Sequence, residues 1–359
     1  MCVTHWFHHT TLSFPCYIAH TSRIPGKTTL LNRILRENHG KKIAVIENEF
    51  GEIGIDASLV EDTTKDLGSS SNSIVLMKNG CLCCTIRDDL VDALQDILNR
   101  HLESPLDGVI IEATGVALPA PIADTFFTSA YVKDCFEIQS FVAMIDAANF
   151  ETQMKHSEDT LKKQVAFADL LVLNKTDAVE DEKKCVDIKK HVRSINSTAS
   201  LLECSHADID VTALFDPQRG GSFNLETVES ELTGLRGHHH HHDHDHHHDH
   251  DHHHHHHHTD STSSVSLSFE GDLDPSKLES FFATLLQTYG ATTLYRSKGI
   301  FSLKDEPKRF VMQSVQELYS GDMLGAWDEN ETRTNRVVFI GQDLNRDQLE
   351  SDLRSCIHQ

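Results

Sequence analysis

The sequence predicts an α/β domain built on a mostly parallel sheet flanked by helices, followed by a smaller α+β domain. Three observations carry this. Short β-branched runs alternate with helical segments through the first half of the chain, a block made only of His and Asp then interrupts it, and a second, shorter set of strands and a helix follows.

The strand runs are KKIAVIENE from Lys41, NSIVLMKNG, DGVIIEATG, QSFVAMIDAANF and ADLLVLNKTD, each ending in polar or Gly-containing residues. Segments such as DDLVDALQDILNRHL separate them with helical spacing, the pattern of a parallel sheet wrapped by helices. CYIAH, ahead of the first helix, is a poor version of a buried strand. At PQRGGSFN, near Gly220, the alternation breaks, and the His/Asp block from His238 to His258 and the Ser/Thr-rich STSSVSLS follow. Beyond them, strands are expected around Ser264 to Phe269, Gly299 to Leu303, Arg309 to Val315 and Arg336 to Ile340, with a helix from Pro275 to Tyr289. The expected organisation is therefore a first domain over residues 1–230, a disordered His/Asp-rich linker over 231–263, and a second domain over 264–359.

A chain of 359 residues, at roughly 150 per domain, is long enough for about two cores. Hydrophobic residues make up 38%, and no apolar run approaches the ~20 residues of a membrane span. The formal charge of -23 opposes nucleic acid and anionic membranes and suits cationic partners, metal ions included. Nine cysteines, in a chain too long to need disulfide staples and without a secretory signal, point to free thiols in a reducing compartment, with the cytoplasm expected. The first 26 residues contain no acidic residue and several Ser and Thr, a faint transit-peptide character, but they lack its Arg-rich amphipathic pattern.

Four segments carry chemistry. In GKTTLLNRIL, from Gly26, Lys27 can reach nucleotide phosphates and Thr28 can place its hydroxyl on Mg²⁺ at a helix N-terminus, as in a P-loop. The match is partial: Thr21 stands where the motif has its first glycine, and Pro25 supplies no N–H to a phosphate cradle, so an ordinary helix start fits the segment as well. In NKTD, Asn174 to Asp177, the carboxylate can accept from the N1–H and 2-amino groups of guanine, which selects GTP over ATP. Lys175 would lie along the base and Asn174 would brace the loop; a common polar turn is the competing reading.

In DGVIIEATG, Glu112 can hold a Mg²⁺-bound water and Gly115 lets the backbone approach the γ-phosphate, against the plainer reading of an exposed acid and a turn glycine. NGCLCCT, from Asn79 to Thr85, places Cys81, Cys83 and Cys84 so that three thiolates can converge on Zn²⁺ if the chain turns at Gly80. Adjacent Cys83 and Cys84 do not easily form a disulfide, and no second C-x-x-C pair completes a structural site. An open fourth position suits labile, transferable metal; buried cysteines acting as small hydrophobes are the alternative. The His/Asp block can bind Zn²⁺, Co²⁺ or Ni²⁺ in many overlapping weak arrangements, or be a neutral repeat expansion.

Taken in order, GKTTLLNRIL, IENEFGEIGID, MKNGCLCCTIRDDL, IIEATGVALPAPIADTFF and NKTD resemble the CobW-like family of P-loop GTPases, GTP-dependent zinc and cobalt metallochaperones. GIFSLKDEPKRFVMQSVQELY and GAWDENETRTNRVVFIGQDL resemble the family's C-terminal domain. The resemblance implies a P-loop NTPase-type sheet that hydrolyses GTP, with Lys27 and Glu112 in catalysis and Gly26, Lys27, Thr28, Thr29, Gly115, Asn174, Lys175 and Asp177 on the nucleotide. It further implies that Glu47 and Glu52 of the ENEFGE switch join Cys81, Cys83, Cys84 and Thr28 around metal or Mg²⁺. Metal would pass to a client metalloenzyme apoprotein on hydrolysis, and the C-terminal domain would recognise that client or close over the switch. The rival expectation is a non-enzymatic metal buffer whose altered P-loop no longer turns over nucleotide.

Overall fold

The structure, a computed structural model, describes residues 14–21, 27–37, 39–47, 86–113, 120–179, 181–215, 232, 262–316, 318–328 and 330–358. The expected strand at NSIVLMKNG and the His/Asp block lie outside these residues.

Six parallel strands form the first sheet: β1 (Phe14–Thr21), β2 (Ile43–Glu47), β3 (Gly108–Ala113), β4 (Phe136–Asp146), β5 (Leu170–Asn174) and β6 (Ser200–Glu203), in the order β2-β3-β1-β4-β5-β6. Alternate side chains of each strand enter two separate apolar layers, so both faces are dry and the runs read as continuously hydrophobic. On one face, Leu30, Leu31, Ile34 and Leu35 of α1 (Lys27–Arg36) cover Ile43, Val45, Ile110, Val142 and Val172. On the other, α2 (Ile86–Glu103) buries Leu90, Ala93, Leu94 and Ile97, the helical spacing expected from its sequence. The short helices α3 (Ala120–Thr128) and α4 (Ala130–Cys135), with α5 (Phe150–Phe167) and α6 (Glu182–Ile195), complete that layer over Ile18, Ile111, Phe141 and Leu173.

The weak strand CYIAH turns out to be central. β1 pairs with β3 on one side and β4 on the other, and Cys16 and Ile18 are fully buried. Pro15 cannot donate to a ladder, and it sits in the strand's first turn of pairing, next to a register shift at Cys16/Tyr17 that absorbs it. Tertiary pairing, rather than local propensity, makes this strand.

After β1 the chain moves left to β2, and after β4 it moves right to β5. The carboxyl end of β1 therefore lies at the topological switch point, where open α/β sheets hold their ligands.

The second sheet is antiparallel: β7 (Thr262–Glu270), β8 (Leu294–Ser302), β9 (Lys308–Val315), β10 (Leu318–Ala326) and β11 (Thr334–Gln342), ordered β10-β9-β8-β11-β7. α7 (Pro275–Thr293) and α8 (Arg346–Ser355) cover one face, packing Phe281, Phe282, Leu285 and Leu353 on Phe269, Phe301, Met312 and Phe339. Asp274 caps α7 by accepting from Ser276 N and Lys277 N, with Pro275 at the first turn, as its sequence suggests. The helix runs past the expected Tyr289 to Thr293, through a non-helical Gly290 at φ 61°. β10 and α8 were not expected.

Much of the opposite face of this sheet is covered by the first domain, with Ser268 at its β7 edge exposed. Val338 and Ile340 alternate with Val337 and Phe339, and together with Tyr295, Ile300, Val311 and Val315 they join the same apolar cluster as Phe150, Leu161 and Phe167 of the first domain. The two domains share a core. Among the described residues no helix is long and apolar enough to cross a membrane.

Candidate functional site

The carboxyl ends of the parallel strands form one edge, and most expected site positions map to it. α1 starts there at Lys27, held down by Leu30 and Leu31, and Thr29 is exposed in its first turn. Glu47 ends β2 and is the register partner of Glu112 in β3, which in turn pairs with Ala19 of β1. Glu112 is half-buried and helps line a cavity with Tyr17, Ala19, Leu30, Ile110 and Met144, so it faces the α1 side of the sheet.

Other expected positions cannot be placed. Gly26, Glu52, Cys81, Cys83, Cys84 and Gly115 lie outside the described residues, and the side chains of Lys27, Thr28 and Glu47 are not described. Among the described residues, no group of three or more His, Cys, Asp or Glu side chains converges as a metal site.

The NKTD turn is described in full. Asn174 ends β5 and is 3% exposed. Its Oδ1 accepts from Ala207 N at 2.9 Å and from Cys204 Sγ at 3.4 Å, and its carbonyl accepts from Ala147 N at 2.9 Å. The next residue, Lys175, is left-handed at φ 61° and donates from Nζ to Asp146 Oδ2 at 2.6 Å. The lysine expected along the base is thus anchored to a buried carboxylate at the end of β4.

Thr176 donates from both N and Oγ1 to Cys204 O, and Asp177 N donates to Ser205 Oγ at 3.3 Å. These bonds leave the Asp177 carboxylate outermost, with its side chain 49% exposed and His206 Nε2 3.6 Å from Oδ2. His206 and Ala207 are consecutive left-handed residues, at φ 54° and 55°, which curl the segment after β6 up against the turn. Burial, helped by Asp208, pushes the Cys204 thiol up to about 11, so it stays protonated and serves as a weak donor to Asn174.

The result is a half-exposed carboxylate on a braced turn at the carboxyl edge of the sheet, an acceptor able to take hydrogen bonds from paired N–H donors. Sequence reasoning missed Asp146 and Ser205 to Ala207. Asp146 was visible only as the polar end of FVAMID, and the Ser205 corner follows a four-residue strand, SLLE, too short and polar to stand out.

Residues 25–203 match the family described as CobW/HypB/UreG, nucleotide-binding domain, and residues 262–357 match the cobalamin synthesis protein CobW C-terminal domain. The zinc chaperone YjiA of Escherichia coli is 32% identical over 328 residues, 91% of this chain and 93% of that protein. The chain belongs to the CobW/HypB/UreG family. The zinc-regulated GTPase metalloprotein activator 1 of Schizosaccharomyces pombe is 29% identical over 89% of this chain and 80% of its own length. The crystal structure of Zn(II)-bound YjiA GTPase from E. coli superimposes with a TM-score of 0.70 at 26% identity, covering 96% of this chain and 99% of that one. Architecture and family agree: a P-loop GTPase sheet carrying a CobW C-terminal domain.

Proposed function

We propose that this protein is a GTP-dependent metallochaperone that binds Zn²⁺ at Cys81, Cys83 and Cys84 and delivers it to a client apoprotein. The observation that carries the GTP half is the braced turn, in which Asn174 is buried and fully committed while Asp177 is presented at the switch edge. The names of the CobW relatives, zinc chaperones and zinc-regulated GTPase activators, support the metal half. In this reading Gly26, Lys27, Thr28, Thr29 and Gly115 hold the phosphates, Lys27 and Glu112 act in catalysis, Glu112 by holding a Mg²⁺-bound water, and Thr28 would hold Mg²⁺, which would neutralise phosphate charge when bound. Glu47 and Glu52 tie the cysteine loop to the nucleotide, so that GTP assembles the zinc site and hydrolysis loosens it. A coupling of roughly 1–3 kcal/mol between the two ligands is enough. Co²⁺ or Ni²⁺ fits the same ligands.

One observation favours the second reading, a metal buffer without turnover. β1 continues as strand through Thr21, which pairs with Met144, so the position where a P-loop turns on glycine is still extended chain. Titration with a fluorescent GTP analogue, with and without Zn²⁺, decides between them. Affinity that rises with Zn²⁺, together with phosphate release, supports the chaperone, whereas stoichiometric Zn²⁺ binding without nucleotide binding supports the buffer.

A further inference from the structure

Asp146 is the last residue of β4 and the register partner of Asn174, the last residue of β5. Its side chain is 1% exposed, yet three donors are aimed at it: Asn149 N at 3.1 Å to Oδ1, and Asn149 Nδ2 at 3.0 Å and Lys175 Nζ at 2.6 Å to Oδ2. A carboxylate this deep is retained only when its charge is matched, and the matching charge is the lysine of NKTD.

That lysine also sits in a backbone conformation that side chains with a Cβ avoid. Nothing in its sequence asks for a left-handed residue there, since it is neither Gly, Asn nor Asp. The ammonium tied to Asp146, 2.6 Å away, together with the Ala147 N–H on Asn174 O, holds the turn from the β4 side. Cys204, Ser205 and Ala207 hold it from the β6 side. These clamps fix the backbone from which Asp177 projects.

We infer that Asp146 is a positioning residue for guanine recognition: it holds Lys175, and through it the NKTD turn, in the base-binding shape before nucleotide arrives. This rests on reading NKTD as the base site. Preorganisation of this kind shows in affinity rather than in the chemical step, because the ordering cost is met before binding.

The test uses the full chain, calorimetric binding of GDP and GTP, and turnover at saturating GTP. Asp146→Asn removes the charge while keeping the shape and the Asn149 N–H contact, and its amide nitrogen in place of Oδ2 no longer accepts from Lys175 Nζ or Asn149 Nδ2. It should weaken both nucleotides at least tenfold and leave kcat within twofold. Lys175→Met, at a residue with a partly exposed side chain, should weaken both nucleotides by at least as much, and Asp146→Asn should then add less than twofold in the Lys175→Met background. Should Asp146→Asn fail to fold, the Lys175→Met result stands in its place, and unchanged nucleotide affinity there overturns the inference. Equal losses from Asp146→Asn with and without Lys175 would also overturn it, since the carboxylate would then act only through Asn149. The control is Asp177→Asn, which replaces the acceptor with an amide and should exchange preference for GTP with preference for xanthosine triphosphate. If that exchange occurs and Asp146→Asn is silent, only the positioning role falls; if Asp177→Asn is itself silent, the base-site reading falls and takes the positioning role with it.

Discussion

Arg296 of β8 places Nη2 2.6 Å from Asp169 Oδ1, across the boundary between the two domains, and both side chains are under 5% exposed. Arg296 also donates to Phe167 O at 3.0 Å and lies over the Phe141 ring, while Lys298 reaches the same Asp169 oxygen at 3.0 Å. Asp169 directly precedes β5, whose far end is Asn174, roughly 16 Å away along an extended strand. The CobW C-terminal domain therefore docks on the edge of the GTPase sheet opposite the NKTD turn. Among the described residues it makes no cover over NKTD, and the ENEFGE switch and cysteine loop, over which it was expected to close, lie outside those residues.

Asp169→Ala should be among the most damaging single substitutions in the chain, because it strands two buried cations. Removing one partner of a buried pair costs ~3–5 kcal/mol, and here the loss falls on the shared core. Urea denaturation should show a lower midpoint for Asp169→Ala than for Arg296→Met, which leaves Lys298 to match the carboxylate. A midpoint for Asp169→Ala equal to that of the unaltered chain would show that the interface does not depend on this carboxylate.

The same carboxyl gives a pH dependence. Burial pushes its pKa up, but Arg296, Lys298 and the Phe141 N–H together outweigh burial and hold it below the ordinary aspartate value. A depressed folded-state pKa contributes stability that is complete above the unfolded value of ~3.9 and is lost as pH falls through the folded value. The unaltered chain should lose stability as pH drops below ~4, and Asp169→Asn should lose less over the same interval. Parallel stability curves for the two would contradict this.

Asp177→Ala should lower GTP affinity by ~2–4 kcal/mol, the worth of two hydrogen bonds to guanine, with little change in Zn²⁺ affinity. Calorimetry in which the two proteins bind GTP equally would remove NKTD from the nucleotide site.

Replacing Cys81, Cys83 and Cys84 with Ser should abolish tight stoichiometric Zn²⁺ binding in a chain lacking residues 238–258, where the His/Asp block can no longer mask the loss. Competition against a chromogenic chelator reads this directly, and a surviving tight site would place the ligands elsewhere.

Much of the architecture was legible because parallel strands buried on both faces write themselves as unbroken apolar runs: LLVLN is buried at every position. β1 was faint for the opposite reason. Its burial comes from β3 and β4, 90 or more residues away in sequence, and FPCYIAHT itself carries a proline and a histidine. β10 was hidden at the sheet edge, where LYSGDMLGA has no alternation to enforce. In the site, NKTD stands out as four letters after a buried strand, but its supports do not. Asp146, Cys204 and Ser205 meet the turn only through tertiary structure, 28 or more residues away.

The last prediction concerns the front of the P-loop. β1 carries its extended pairing through Thr21, and only five residues then separate the strand from Lys27 at the start of α1. A phosphate cradle built there has a Cβ at Thr21 where P-loops turn on glycine and lacks an amide at Pro25. Each lost charge-assisted contact costs ~1.5–3 kcal/mol, so two together weaken nucleotide binding by about two orders of magnitude or more. The unaltered chain should therefore hold its fold, which depends on the buried face of α1 and not on the loop, while hydrolysing GTP poorly. Thr21→Gly with Pro25→Ala should raise GTP affinity at least tenfold in a direct titration, with the melting temperature nearly unchanged. Low-micromolar GTP affinity in the unaltered chain, or no gain on repair, would mean that Thr21 and Pro25 belong to a working variant of the loop.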